Sequence, residues 1–378
     1  MVYLDNSSTT AVCKESAEAL KLALSDNFGN PSSLHSLGIK AELAVSEVRK
    51  KLSRMLNCRE DEIYFISCAT EGNNTCIEGA ARRNGKIKKK IVTTAVEHPS
   101  VLNTVKRLSQ EGFEAVFAEP DKSGGAVSAE NIFSKTDENT VLVSMMAVNN
   151  ETGAVMPVAE AAKMIKKAYP DTLIHCDAVQ AFGKIPLDVK KLGIDMLTLS
   201  GHKFHAPKGI GAMYIKKGVK IRPLMAGGGQ ERDIRPGTES VPLICALGGA
   251  LDALANFEKR LPLQKELWTY TKDLLIKENG VTVNSGEDSL PYILNISLPG
   301  FRSETLLHFL DSEGIFVSSG SACSKGKGSY VLKACGVSDI NADSALRISF
   351  SRYSKKEDAD KLSEALKSAA QRLRRSVK

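Results

Sequence analysis

Met196-Leu197-Thr198-Leu199-Ser200-Gly201-His202-Lys203 passes from a short apolar run straight into a polar turn that carries an imidazole and an amine. The run is too short for a helix and is bounded by turn residues, so it reads as a buried strand. The same pattern recurs upstream at Ile63–Ser67, Ile91–Thr94, Ala115–Ala118, Val141–Met145 and Leu173–Cys176, and downstream at Ala212–Ile215. Helical stretches separate most of these runs, and Ala41, Val45, Val48, Leu52 and Met55 mark one amphipathic helix by their spacing. Such β-then-α alternation predicts an α/β fold: a mostly parallel sheet covered on both faces by helices. Ligands bind these sheets beyond the carboxyl ends of the strands, which is where Lys203 falls.

Further along, Val241–Lys277 reads as one long helical region. After it come strands at Tyr292–Ile296, Ile315–Val317 and Ala345–Phe350, with helices at Ser303–Asp311 and from Lys355 onward. This change of pattern predicts a second, smaller α+β domain. The last helix carries Arg372, Arg374, Arg375 and Lys378, which suit a solvated helix end or, second, an acidic partner.

Composition narrows the classes. With 42% hydrophobic and 25% charged residues among 378, neither a disordered chain nor a membrane bundle is expected. The net charge of +7 is too diffuse, and a 6% aromatic content with one Trp too sparse, for a nucleic-acid binder. No basic-then-apolar leader is read at the start, and Val241–Ala255 is too short to span a bilayer. Eight cysteines never fall at Cys-x-x-Cys spacing, so no metal site is expected and most read as reduced core thiols of a cytoplasmic protein.

The chemistry-bearing clusters follow the predicted strands. Lys203 in the crevice has the position of a Schiff-base nucleophile, although a lone lysine is usually a surface cation. Asp177, with Gln180 beyond it, closes Leu173–Cys176. Asp177 could cap a helix, or pair with the pyridinium nitrogen of pyridoxal 5'-phosphate while Gln180 bonds the phenolic oxygen. Ala69-Thr70-Glu71-Gly72-Asn73-Asn74 opens a helix after a strand, either as a plain capped start or as a phosphate site. His98 could stack on a flat ring or shuttle protons. Asn150 could bond a ligand or make an Asx turn. Residues 227–238 form a glycine-rich loop that includes Thr238. Cys323 lies in Ser318-Ser319-Gly320-Ser321-Ala322-Cys323-Ser324-Lys325-Gly326-Lys327-Gly328, a setting of small residues that suits an exposed nucleophile, with Lys325 and Lys327 favouring its thiolate.

Together the strings YLDNSSTT, FGNPSSLHSLG, ATEGNN, EHPSV, NNETGA, HCDAVQAFGK, SGHKFHAPKGIGA, GGGQER, SSGSAC and LRISFSR, in order from residue 3 to 352, resemble the pyridoxal phosphate-dependent cysteine desulfurases of the NifS/IscS type, within the class V aminotransferases. The resemblance implies a homodimer of the fold-type I, aspartate-aminotransferase-like architecture. Residues 16–259 would form the large cofactor domain, and residues 1–15 with 260–378 the small one.

By match to the motifs, Lys203 would bind the cofactor covalently, Asp177 and Gln180 would hold its ring, and His98 would stack on it. Ala69, Thr70, Ser200 and His202 would hold the phosphate, joined by Thr238 of the partner subunit. Asn150 would lie beside cofactor and substrate, and Arg347 would grip the substrate carboxylate. L-cysteine would become L-alanine, its sulfur passing to Cys323 as a persulfide for an iron–sulfur scaffold or another acceptor protein. A selenocysteine lyase, another enzyme of this fold type, or a partner-regulated sulfur relay are the alternatives. The chain departs from the family pattern at Pro236, where serine is common, at the short basic stretch after Cys323, and at Cys68, read as packing.

Overall fold

Each apolar run forms a strand, and the strands assemble as the alternation predicts. The computed structural model describes residues 1–85, 87–121, 123–319 and 328–373. Its strands in chain order are β1 (Val2–Tyr3), β2 (Ile63–Ile66), β3 (Lys90–Thr94), β4 (Glu114–Ala118), β5 (Thr140–Met146), β6 (Leu173–Asp177), β7 (Met196–Ser200), β8 (Gly211–Ile215), β9 (Thr282–Val283), β10 (Ile293–Ser297), β11 (Ile315–Phe316) and β12 (Ala345–Ser349). Seven of them form one sheet in the order β2-β8-β7-β6-β5-β3-β4. Strand β8 runs antiparallel to both of its neighbours, and every other pair is parallel.

Helices bury their apolar stripes on both faces of this sheet. The helix Ser36–Leu56 turns Ala41, Val45, Val48, Leu52 and Leu56 inward, while Met55 is only partly buried at the edge of that core. On the opposite face, Cys76, Ile77 and Ala80 of helix Ala69–Asn84 meet Ile91, Val105 and Leu142. Each fully buried aliphatic side chain contributes about 1.5–3 kcal/mol relative to exposure. A separate core gathers Val2, Leu4, Trp268, Ile296, Leu306, Ile348 and Leu366. It lies around the antiparallel β12-β10-β9 sheet and the parallel β1-β11 pair.

One expectation changes. Val241–Lys277 is not one helix but two, Val241–Ala253 and Leu261–Asn279, with a short 3-10 turn Phe257–Arg260 between them and a 55° bend. Asn256 stands at φ 61, in the left-handed region that ends a helix, and Pro262 opens the second helix. No single described helix is long and apolar enough to cross a membrane. The bent pair passes on length and composition alone, and Ile244, Leu247 and Ala250 of its first half lie inside the core. The last helix ends at Arg372, 3.9 Å from Glu313, and Arg374, Arg375 and Lys378 lie outside the described residues.

The segment after β1 meets β12 and the turn after β7 at the crevice. Asp5 bridges to Ser349, and the Thr10 N–H reaches the His202 carbonyl at 2.9 Å. Residues 5–10 are thereby laid across the carboxyl edge of the large sheet.

Candidate active site

Beyond β7 the chain turns through Gly201–Lys203, delivering the lysine amine to the crevice. Lys203 Nζ donates to the carbonyl oxygens of Ser7 at 2.7 Å and Ser8 at 2.8 Å. The turn is pinned from the same segment: Thr10 Oγ1 donates to the His202 carbonyl at 3.0 Å, and Thr9 Oγ1 lies 3.2 Å from His202 Nδ1. Burial, then the neighbouring Lys203 and Lys208, push the His202 pKa down to about 4, so its ring is neutral at physiological pH.

The floor is a chain of hydrogen bonds. Asp177, ending β6, is 5% exposed. Its Oδ2 accepts from Asn73 Nδ2 at 2.7 Å and its Oδ1 from the Val179 N–H at 3.0 Å. Asn73 also donates to Ser100 Oγ at 2.9 Å, and that hydroxyl is 2.8 Å from His98 Nδ1. Among the described residues no lysine or arginine is ion-paired with Asp177, so a buried carboxylate is met by neutral donors alone. His98 caps the helix Pro99–Gln110, its Nδ1 accepting from the Ser100 N–H at 3.2 Å. Burial lowers its pKa and Lys203 adds to that, while Asp177 opposes. With Nδ1 accepting, a ring proton stands on Nε2.

Helix Ala69–Asn84 begins without a side-chain cap at Cys68, leaving the N–H groups of its first turn to another acceptor. The capped-start alternative therefore fails here. Ala69 is buried and Thr70 exposed at that end, with Ser200 buried at the end of β7. A Cβ on Gly72 would come within 2.6 Å of both Thr198 Cγ2 and Ile66 Cδ1, so this helix lies against the sheet only because residue 72 has no side chain. Glu71 ties the glycine-rich loop to the same helix through Arg235 Nε at 2.9 Å. Pro236 closes that loop on itself, its Cβ standing 2.6 Å from where a side chain on Gly227 would begin. Thr238 is exposed and is not brought to the phosphate end within the single chain.

At the other end of the crevice, Arg347 projects from β12 and is 4% exposed. Its Nη1 donates to the Asn150 carbonyl at 2.9 Å, and its Nη2 to Asp5 Oδ1 at 3.0 Å and Ser8 Oγ at 2.6 Å. The fork expected for a substrate carboxylate is thus partly engaged by Asp5. The Asx turn belongs to Asn149, which accepts from the N–H groups of Glu151 and Thr152, each at 2.9 Å. Asn150 Oδ1 is left buried without a partner. Gln180 donates from Nε2 to the Ser7 carbonyl at 2.9 Å and accepts from Lys184 Nζ at 2.9 Å.

Cys323, Lys325 and Lys327 lie outside the described residues. Their flanks do not: Ser318 pairs with Arg347 through the backbone, and Ser329 donates to the Glu151 carboxylate. The other cysteines are free thiols. Burial, largest among its causes, pushes Cys58 and Cys76 up to about 12 and Cys335 to about 11, as inert packing residues require.

Sequence reading passes over Asn73, Ser100, Lys184 and the carbonyls of Ser7 and Ser8. Each acts on a residue that the motifs do single out. The available signal is position: Asn73 is one turn into the helix that opens the phosphate loop, and Ser100 follows His98 at a helix start.

Pyridoxal phosphate fits these groups. A buried carboxylate without a cation suits a protonated ring nitrogen, and an uncapped helix start suits a phosphate. Ser7 Oγ, Asn150 Oδ1 and Arg347 Nε are buried polar atoms without hydrogen-bond partners among the described residues.

The chain matches the family model of class-V aminotransferases over residues 2–362. It is 41% identical over 377 residues to the cysteine desulfurase IscS of Methanosarcina thermophila, covering 99% of this chain and 93% of that one. With a cysteine desulfurase of Nostoc sp. the identity is 40% over 379 residues, covering 99% and 94%. Among solved structures, a NifS-like protein superimposes with a TM-score of 0.93 at 38% identity, over 98% of this chain and 100% of that one. A structure described as SspA in complex with cysteine gives 0.82 at 33%, over 94% and 100%. These likenesses carry the fold-type I architecture across the whole described sheet. The matched span takes in every described strand of all three sheets, Lys203 and Arg347, so the chain belongs to the class-V aminotransferase family and works with pyridoxal 5'-phosphate.

Proposed function

We propose that this protein is a cysteine desulfurase, converting L-cysteine to L-alanine and passing the sulfur to Cys323 for iron–sulfur cluster assembly or another acceptor protein. One observation carries the reading: the Lys203 amine stands in one crevice with Asp177, a buried carboxylate with no ion-paired cation among the described residues, and with Arg347. When bound, pyridoxal phosphate supplies an electron sink that makes the Cα proton of an amino acid labile.

In this reading Asp177 holds the ring-nitrogen proton and Gln180 donates to the phenolic oxygen. His98 covers the ring and keeps an Nε2 proton to give. The first-turn N–H groups at Ala69 and Thr70, with Ser200 and His202, bind the phosphate, and Thr238 of a second copy of this chain completes that end. Arg347 takes the substrate carboxylate, with Asp5 yielding part of the fork, and Asn150 lines the space between. Lys203 moves the Cα proton as a free amine. The Cys323 thiolate then forms an S–S bond to the substrate sulfur as the Cβ–S bond breaks. That bond's electron pair stays with the carbon skeleton, which takes up protons to become alanine.

Anchorage of Ser318 and Ser329 beside Arg347 and Asn150 supports this use of Cys323. The homodimer, the cytoplasmic setting and the division into residues 16–259 and 1–15 with 260–378 belong to the same proposal. They are supported by the two cores, the free thiols and an exposed Thr238.

The deciding experiment records the visible spectrum of the purified protein before and after L-cysteine, with alanine measured in the same sample. Alanine formation that Cys323→Ser abolishes, with the cofactor band retained, supports the reading. Undiminished persulfide formation in that variant, or a keto acid in place of alanine, refutes it.

A further inference from the structure

Lys184 is a buried amine with no carboxylate paired to it among the described residues. It follows the turn leaving β6 and is 7% exposed. Its Nζ donates to Gln180 Oε1 at 2.9 Å and lies 5.8 Å from the centroid of the Tyr292 ring. The other charged and titratable groups around it are Lys203, Arg347, Arg260, Arg352 and His205. Burial, then Lys203 and Arg347, push its pKa down to about 7. A methionine would fill the same space without the cost of desolvating a charge, so packing alone does not call for an amine here.

The geometry shows what an amine does. A primary amide has one accepting and one donating end, whereas an ammonium only donates. Lys184 therefore fixes Oε1 as the end of Gln180 turned toward it and Nε2 as the end turned toward the crevice. That Nε2 donates to the Ser7 carbonyl, the same oxygen that Lys203 Nζ reaches at 2.7 Å. The donating end of the amide thus stands beside the reactive amine.

We infer that Lys184 is a positioning residue, holding the Gln180 amide with its N–H groups toward the cofactor's phenolic oxygen and, while protonated, adding a positive charge behind it. The inference rests on the reading of Gln180 given above. A donor and a cation near that oxygen both favour the negatively charged, proton-depleted form of the bound chromophore. Removing them raises the pH midpoint of its visible band.

The test titrates the visible band of the holoenzyme against pH for wild type, Gln180→Ala, Lys184→Met and Lys184→Gln, with near-ultraviolet circular dichroism to check the fold. Lys184→Met should raise the midpoint by about one pH unit, a tenfold change in proton affinity. Lys184→Gln, which drops the charge, should shift it the same way. If Gln180→Ala moves the midpoint and both folded Lys184 variants leave it at the wild-type value, the role of Lys184 is overturned and that of Gln180 stands. If Gln180→Ala itself moves nothing, the reading of Gln180 fails and takes this inference with it. Should Lys184→Met not fold, Lys184→Gln decides by the same titration; loss of fold in both variants overturns the positioning role in favour of a structural one.

Discussion

The floor and the rim of the crevice are built differently. On the floor, Asp177, Asn73, Ser100 and His98 are linked end to end within one chain. On the rim, Thr238 is exposed and reaches none of them. A linked, buried network holds its geometry before any ligand arrives, which is what transition-state stabilisation requires. An exposed residue on a glycine-rich loop contributes only when something covers it. In the proposed reading the floor governs the chemistry, and Thr238 of a second copy of this chain governs retention of the cofactor.

The largest expected break lies at the amine above the floor. Lys203→Ala should lower alanine formation on the order of a thousandfold or more, within the range for a lost acid–base and covalent group, and leave the floor bonds and the melting temperature nearly unchanged. Next comes Asp177→Asn, which keeps a hydrogen-bonding side chain but removes the charge. A drop in kcat of about a hundredfold, with the fold intact, is expected. A fall confined to KM would move Asp177 out of its assigned place.

Asn73→Ala tests whether the floor is a unit. It leaves Asp177 Oδ2 and Ser100 Oγ without their donor, for a loss of about 1–3 kcal/mol in denaturant unfolding. Its combination with Ser100→Ala should cost less than the sum of the two single changes.

Glu97 sharpens the comparison through pH. Burial raises its pKa from 4.5 to about 8, against the hydrogen bonds from Thr94 and the Met146 N–H. The folded state then keeps a proton that the unfolded chain releases above its ordinary value. This contribution to stability is full below about pH 4.5 and is lost as pH rises toward about 8. Glu97→Gln should flatten the fall in melting temperature over that interval; a curve parallel to wild type counts against a protonated Glu97. The smallest effect belongs to the rim. Thr238→Ala should alter unfolding free energy by less than about 0.5 kcal/mol yet weaken cofactor retention about tenfold, measured by equilibrium dialysis.

Much of this molecule is legible in its sequence for physical reasons. Parallel strands buried on both faces must be continuous apolar runs, so the strand leading to Lys203 could be read without its neighbours. The residues that follow those strands fall at the ligand-binding edge by topology, which made Asp177, Asn150 and His98 readable as site candidates. The break at Asn256 was hidden by the helix-forming residues on both sides, although Pro262 was a visible signal. Asn73, Ser100 and Lys184 were illegible for a deeper reason. Their work is to orient another side chain, and a one-dimensional pattern does not show which chains share a hydrogen bond. The carbonyls of Ser7 and Ser8 carry no side-chain signal at all.

The ion pair between Asp5 and Arg347 also has a consequence for how the protein is made. Translation proceeds from the amino end, and domains assemble as they emerge. The segment that cradles Lys203 leaves the ribosome well before its tether on β12. A nascent chain therefore cannot finish this pocket, and the reactive amine stays uncommitted until β12 has been made.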